Sequence, residues 1–306
     1  MYLCNMEETS ETQYTNFKSG FVNIVGRPNV GKSTLMNALM GEKLSIVTSK
    51  AQTTRHRIMG IWNGPEFQVV YSDTPGILKP AYKLHEAMMD FVTGSLEDAD
   101  LVLFVADIYD KEIDGNILRR INAIDAPLIL VVNKTDLVKA NELEETRNYW
   151  FGKLRPKACY YISALQGTGI EELKAAIMAE MPLHPPFFDT EEYTNRTERF
   201  FASEIIREKI FQQYKEEIPY CSEVIIQGFK EKEDIIVISA LILVERDTQK
   251  GIVIGKSGES IKKLGTSARK DLEEFLGKKV FLEQSVKVEA DWRSKAHVLH
   301  KLGYQG

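Results

Sequence analysis

Residues Gly26, Arg27, Pro28, Asn29, Val30, Gly31, Lys32, Ser33 and Thr34 form a GxxxxGK[ST] run, with the apolar stretch Phe21–Val25 before it and helix-forming residues after it. Glycines at its two ends let successive backbone N–H groups point into one hollow. The positive end of the following helix deepens that attraction, so the run suits a chain of phosphates. Lys32 is expected to reach the β- and γ-phosphates, and the Ser33 hydroxyl to ligate Mg²⁺. A second run, Asp73, Thr74, Pro75 and Gly76, closes the apolar stretch Phe67–Asp73. Its carboxylate is placed to hold Mg²⁺ through water, and its Gly76 N–H to meet a γ-phosphate. Between the two lies a polar stretch, 50–57, with Gln52, Thr53, Thr54, Arg55 and His56. The bland reading is a solvated loop; the functional one is a mobile loop that brings a hydroxyl to the metal. On the residues alone, Thr53 and Thr54 serve equally well.

A third cluster reads a base. Asn133, Lys134, Thr135 and Asp136 close the apolar run Leu128–Asn133, and Ser163 and Ala164 close Ala158–Ser163. Guanine carries two adjacent donors, N1–H and the 2-amino group, and one carboxylate, Asp136, accepts both. Adenine lacks that pair and leaves the carboxylate unpaired, a discrimination worth about 10⁴–10⁵-fold in sites of this kind. Asn133 is suited to N7, the Lys134 stem to the ring face, and the Ser163-Ala164 backbone N–H to O6. Taken singly, NKxD is an ordinary turn. Four motifs in order, each at a strand end, specify GTP and GDP as ligands with Mg²⁺.

Position 77 is Ile, where many GTP hydrolases place a water-orienting Gln. Intrinsic turnover is therefore expected to be slow, on the order of 10⁻⁴ to 10⁻² per second. Asn29 offers either a brace for the phosphate loop or an oxygen for K⁺, which would stand in for an arginine finger.

These residues need a scaffold. Strand-like runs Phe21–Val25, Phe67–Asp73, Leu101–Asp107, Leu128–Asn133 and Ala158–Ser163 alternate with helix-length segments Lys32–Met40, Leu84–Glu97, Gly115–Ile124, Leu143–Phe151 and Ile170–Met181. Apolar strands separated by helices predict an α/β domain, a doubly wound and mostly parallel sheet with ligands at the strands' carboxyl ends. The expected organisation is a disordered lead at 1–19, this domain at 20–181, a Pro-rich linker at 182–197 and a second domain at 198–306. A second Met at position 6 leaves the start at Met1 or Met6.

The second domain reads helix (198–216), strand (222–229), strand (234–244), short helix (248–254), GKSG, helix (259–276) and strand (280–288). Ile254, Gly255, Lys256, Ser257 and Gly258 have the form of a GxxG loop, which lets a sugar–phosphate backbone approach closely. Lys262 and Lys263 follow it. From Lys250 to Lys287 nine basic residues face five acidic ones, a surplus of four in a chain of net charge −5. A local basic patch in an acidic protein points to a polyanion. The order of elements is that of an α+β type II KH domain, and RNA is the expected partner. Trp292 and Tyr304 are expected in the core, and His56, His85 and His297 show no metal-ligand spacing.

The 306 residues, 43% hydrophobic and 27% charged, suit two domains with real cores. Three separated cysteines argue against a disulfide framework or a zinc site. The first twenty residues lack a signal-peptide core, and the longest apolar run, 235–244, is shorter than the ~20 residues that span a bilayer. The expected location is cytoplasmic, with peripheral contact on the inner face of the membrane left open, and no obligate protein partner.

GRPNVGKST, QTTRHR, DTPGI, NKTD and SAL, with RFFASEIIREKI, EEIPYCSEV, LILVER and VIGKSGESIKKLG in the second half, resemble the Era family of GTPases over 21–304. The resemblance implies a P-loop GTPase joined to a KH domain, with Thr54 as the Mg²⁺-sensing hydroxyl and Lys32, Thr54 and Gly76 serving hydrolysis. It also implies 16S ribosomal RNA near its 3′ end and the small ribosomal subunit as partners, and a role in subunit assembly. Two other readings stand beside it: an RNA-binding assembly chaperone whose hydrolysis is incidental, and a GTP-dependent membrane-associated signalling adaptor.

Overall fold

The computed structural model describes residues 14–108, 113 and 115–304. The chain forms two compact units. The first takes the described residues up to Ser45 with Thr54–Lys79 and Met89–Asn195; the second takes Ile46–Thr53, Pro80–Met88 and the described residues from Arg196 onward.

The first unit is built on six strands: β1 (Lys18–Val25), β2 (Ile58–Gly64), β3 (Phe67–Asp73), β4 (Leu101–Ala106), β5 (Leu128–Val132) and β6 (Ala158–Tyr161). They lie in the order β2-β3-β1-β4-β5-β6. All neighbours run parallel except β2, which is antiparallel to β3 from Ile58↔Asp73 to Gly64↔Phe67. The helices are α1 (Lys32–Met40), α2 (Lys83–Glu97, of which Met89 onward belongs to this unit), α3 (Gly115–Asn122), α4 (Ala140–Phe151) and α5 (Ile170–Glu180). On one sheet face Val22, Ile24, Leu103 and Val131 pack with Leu35 and Leu39 of α1 and Leu173 and Ile177 of α5. On the other, Phe104 meets Trp150 of α4 with ring centroids 4.7 Å apart, and Asn23 Nδ2 donates to Ser95 O of α2. Alternate residues of the central strands thus serve opposite layers, which is why these strands read as continuous apolar runs.

Three sequence expectations change here. No strand was expected between residues 40 and 67, yet β2 forms there. Its Gly60, Asn63 and Gly64 mask the strand pattern, and pairing along the whole of β3 supplies the stability its composition lacks. Lys18 and Ser19, expected within a disordered lead at 1–19, are ordered in β1 and pair with Phe67 and Gln68 of β3. Residues 1–13, with Cys4 and Met6, lie outside the described residues. The stretch 182–197, expected as a spacer, runs through residue 195 as a strap on the first unit. Gln68 Oε1 accepts the N–H groups of Phe187 (2.7 Å) and Phe188 (2.9 Å), and its Nε2 donates to Phe188 O (2.9 Å). Asn63 Nδ2 donates to Glu192 O, Ile61 N to Tyr193 O, and Phe187 packs on Phe21 at 4.7 Å. The prolines shape an extended path whose polar groups are satisfied by the sheet edge.

The second unit holds α6 (Glu198–Gln213), a short α7 (Ile218–Cys221), β7 (Glu223–Glu231), β8 (Ile235–Val244), α8 (Asp247–Ile254), α9 (Glu259–Leu276), β9 (Lys279–Val288) and α10 (Ala296–Lys301). The sheet order is β7-β8-β9, antiparallel then parallel, with a bulge between Ile226 and Gly228. Along β8, Ile236, Ile238, Ala240 and Ile242 turn inward, as period two requires. They meet Ala202, Ile206 and Ile210 of α6 and Leu264, Ala268 and Leu272 of α9. The four-residue spacing of those α9 residues makes one apolar stripe, and Lys262, Lys263, Arg269 and Lys270 fall on exposed positions. Thr197 caps α6 by accepting Phe200 N–H. The sequence reading did not foresee α7 and α10. Trp292 is fully buried and donates Nε1–H to Cys221 O (2.8 Å); Tyr304 is buried with its hydroxyl on Glu223 Oε2 (2.6 Å).

Candidate functional site

The carboxyl ends of β1, β3, β5 and β6 gather the first unit's motifs. After β1 the chain turns at Gly26 and passes Asn29, whose φ of 66° is left-handed, before α1 opens at Lys32. A non-glycine residue held there signals a shape imposed by the loop. Gly31 has φ 97°, and a Cβ on it would lie 2.3 Å from Asn133 Nδ2, so phosphate loop and base loop touch at this glycine. Asn133 ties them: its Nδ2 donates to Val30 O (2.9 Å) and its Oδ1 accepts Ala164 N–H (3.0 Å). That one side chain joins the loops after β1, β5 and β6. Lys32 is buried with Nζ on Arg27 O (2.9 Å), folded back over the loop.

Beside it stands a small oxygen cluster. Ser33 Oγ and Thr54 Oγ1 are 2.8 Å apart, and Thr54 Oγ1 is 3.5 Å from Asp73 Oδ2. Asp73 is fully buried and its Oδ1 has no donor. Burial pushes its carboxyl up, against the pull of the Lys32 ammonium and the hydroxyls of Ser33 and Thr54. A buried carboxylate oxygen left orphaned beside two hydroxyls fits a hard divalent cation such as Mg²⁺, held in part through water. Thr54 joins this cluster, whereas Thr53 turns to Thr48 Oγ1 (2.6 Å) and Lys50 O (2.8 Å). Of the neighbouring residues, Arg55 is buried and His56 lies near Phe91, with ring centroids 5.9 Å apart. Thr74 Oγ1 donates to Ile24 O (2.8 Å) and Ile77 N to Gly26 O (3.0 Å), so Thr74–Ile77 lies against the phosphate loop with Pro75 and Gly76 buried.

At the base end Asp136 is exposed, and its Oδ1 accepts from Ser163 Oγ (2.6 Å). Thr135 N–H reaches Ile162 O (3.1 Å). Lys134, at a left-handed φ of 66°, pairs its ammonium with Asp107 Oδ2 at 2.6 Å. Sequence reasoning missed Asp107, which immediately follows β4 and steers the lysine stem. Its signal was available, since it too is a carboxylate at a strand's carboxyl end. Arg57 was also missed: its guanidinium reaches Asp98 by two contacts (2.8 and 3.1 Å) and its Nε reaches Ser72 Oγ (2.5 Å), fixing the chain just past Thr54.

In the second unit Ile254, Gly255, Lys256, Ser257 and Gly258 form the turn between α8 and α9. Gly255 has φ 73°, and a Cβ on it would fall 2.5 Å from Ser260 Cβ, so the turn closes tightly. Ser257 is left-handed at φ 53°. Lys256, Lys262 and Lys263 are exposed, while Ile254 and Ile261 are half-buried behind them. A tight loop with exposed ammonium groups and an apolar backing can admit a polynucleotide backbone.

Known proteins match this arrangement in both halves. The family described as "50S ribosome-binding GTPase" matches residues 21–134, and the KH domain family matches 217–293. The class is therefore a P-loop GTPase carrying a KH domain. GTPase Era of Geobacter sp. (strain M21) is 45% identical over 293 residues, covering 94% of this chain and 98% of that protein. The chloroplastic GTPase ERA1 of Zea mays is 42% identical, covering 98% of this chain and 74% of its own length. On these matches the chain belongs to the Era family of GTPases. Among solved structures, Era in complex with MgGDPNP and nucleotides 1506–1542 of 16S ribosomal RNA is similar at TM-score 0.89 and 38% identity, over 95% of this chain and all of that one. Aquifex aeolicus Era bound to GDP and aluminium fluoride is similar at 0.88 and 36%, with the same coverage.

Proposed function

We propose that this GTPase couples its nucleotide state to the binding of small-subunit ribosomal RNA and so assists assembly of the small subunit. The observation that carries the reading is the presence, in one chain, of a guanine-reading cluster and of a GxxG loop flanked by exposed lysines. The similar Era structure holding MgGDPNP with 16S RNA supports both halves of it.

Gly26–Thr34 cradle the phosphates, with Lys32 neutralising charge between the β- and γ-groups. Ser33 and Thr54, with Asp73 acting through water, would hold Mg²⁺, which would supply positive charge against that of the phosphates. Gly76 N–H meets the γ-phosphate, and Asn133, Lys134, Asp136, Ser163 and Ala164 read guanine. With Ile77 buried where a water-orienting side chain would stand, the chain by itself turns over slowly. Gly255 and Gly258 admit the RNA backbone, and Lys256, Lys262 and Lys263 meet its phosphates. A role in ribosome assembly supports a cytoplasmic location.

The test is binding of a labelled RNA matching nucleotides 1506–1542 of 16S rRNA. Gly255→Asp with Gly258→Asp should weaken it by at least about tenfold, because carboxylates then face the phosphates and the new Cβ at 255 crowds Ser260. GTP hydrolysis without RNA should stay near the parent rate. Unchanged RNA affinity would overturn the loop assignment. Lys32→Ala should abolish support of small-subunit assembly in cells; an unchanged phenotype would make hydrolysis incidental.

A further inference from the structure

The GxxG turn is bracketed by one buried side chain. Tyr214, just past the end of α6, donates its hydroxyl proton to Val253 O (2.8 Å) in α8 and accepts from Ser260 Oγ (3.0 Å) in the first turn of α9. Gln213 beside it donates Nε2–H to Ser260 O (2.8 Å) and Oγ (3.1 Å). The serine so held is the one that Gly255 rests against. A hydroxyl tied to both flanks of a short turn sets the distance between the two helix ends, and with it the width offered to a polynucleotide backbone.

Tyr214 also receives a contact from the segment 46–53 of the same unit. Lys50 Nζ donates to the carbonyls of Phe211 and Tyr214. These lie at the carboxyl end of α6, where helical carbonyls lack backbone partners and the helix dipole favours a cation. Val47 N–H reaches Glu208 Oε1 on that helix (3.3 Å). Lys50 sits in a braced turn. Thr53 Oγ1 bonds Lys50 O (2.8 Å) and Thr48 Oγ1 (2.6 Å), Lys50 N–H reaches Thr48 Oγ1 (3.2 Å), and Gln52 Oε1 bonds His85 Nε2 (3.1 Å). The next residue in the chain is Thr54, whose hydroxyl stands 2.8 Å from Ser33 Oγ.

We infer that Tyr214 is a positioning residue for the RNA-binding turn, and that Lys50 is the handle by which the nucleotide-dependent position of Thr54 reaches it. The inference rests on the nucleotide-switch reading given above. When Thr54 is drawn to or released from the phosphates, Thr48, Lys50 and Thr53 move as a piece, since the bonds among them need not break. The shift acts on the two carbonyls that Lys50 holds, and through the Tyr214 hydroxyl on Val253 and Ser260. Coupling of this kind is reciprocal: RNA on the turn changes the preference between GTP and GDP by the factor with which nucleotide changes RNA affinity.

The test uses the full chain, the same labelled 16S-type RNA, and Mg²⁺ with either GDP or GDPNP. The parent protein should show RNA dissociation constants differing by at least about fivefold between the two nucleotides. Lys50→Met should bring that ratio to within about twofold of one while GDPNP affinity and melting temperature stay at parent values, and Lys50→Arg should restore it. Tyr214→Phe keeps the ring and should weaken RNA binding about three- to tenfold with either nucleotide, as loss of the bridging hydroxyl predicts. A parent ratio of one would overturn the switch reading and the relay together. A parent ratio kept by Lys50→Met would overturn the relay alone, and parent-like RNA affinity in Tyr214→Phe would overturn the positioning role.

Discussion

Asp136 gives Oδ1 to Ser163 and leaves its other oxygen to a ligand, so its contribution depends on the pattern of donors it meets. Asp136→Asn replaces an acceptor with a donor. GTP affinity should fall by at least about 100-fold, and xanthosine triphosphate, with an acceptor in place of the 2-amino group, should become the preferred ligand. Competition against a labelled guanine nucleotide checks this. Asn29 stands exposed at the rim of the phosphate loop in a left-handed conformation. If it holds K⁺ there, hydrolysis should be faster in K⁺ than in Na⁺ buffer, and Asn29→Ala should erase the difference; equal rates in the two buffers would leave Asn29 as a brace. Cys159 is a different kind of residue. Burial pushes its thiol up to about 11, so at pH 8 only about one in a thousand is thiolate. Its alkylation by iodoacetamide should be slow and rise about tenfold per pH unit below that value, as peptide mass spectrometry would show.

Among the helices α6 carries the most charge inward. Glu204 and Arg207 are both buried and paired through two contacts, 2.8 and 2.5 Å. Burial alone would lower the guanidinium's pKa, but Glu204 beside it more than reverses that. Glu204→Gln removes the counter-charge and should cost about 3–5 kcal/mol in urea unfolding, whereas replacing both residues with Leu and Met should recover most of it. The same helix shows where sequence reading stops. Its start at Glu198 was legible, and there Thr197 caps it, whereas the expected end at 216 overran the observed one, Gln213, by three residues. That Glu204 and Arg207 turn inward was not legible, since charged residues on a helix usually face water. The four nucleotide motifs were legible because each is a short run whose chemistry is complete within itself. Asp107 was not, because its meaning comes from Lys134, twenty-seven positions away. Strand β2 was hidden for a related reason: its stability resides in β3, and Gly60, Asn63 and Gly64 interrupt its apolar residues. The bonds to Gln68, which turn a proline-rich stretch into a strap, exist only once β3 has placed that glutamine.

For the whole molecule, charge separates the partners the chain could serve. The stretch from Lys250 to Lys287, which holds the GxxG turn and α9, carries a basic surplus of four in a chain of net charge −5. RNA binding should weaken with salt, and each of Lys256→Met, Lys262→Met and Lys263→Met should reduce the slope of log K against log salt by about 0.7. Among the described residues no helix is long and apolar enough to cross a membrane. Flotation with anionic vesicles is the contrasting measurement: strong co-flotation that RNA does not displace would favour the lipid adaptor over the ribosomal role.

The strap from 182 to 195 decides where the polypeptide can be divided. A gene fragment ended at codon 181, where the helical text stops, would leave Gln68 without the amides of Phe187 and Phe188 and expose the Phe21 ring. One ended at codon 195 keeps them, and should give the higher recombinant yield and resist trypsin longer. The complementary piece, beginning at Arg196, would lack the loop that brings Lys50 to the end of α6. The two halves of this protein are separable on paper at a proline-rich seam, but a fermenter will find the seam fourteen codons later and one partner still missing a stitch.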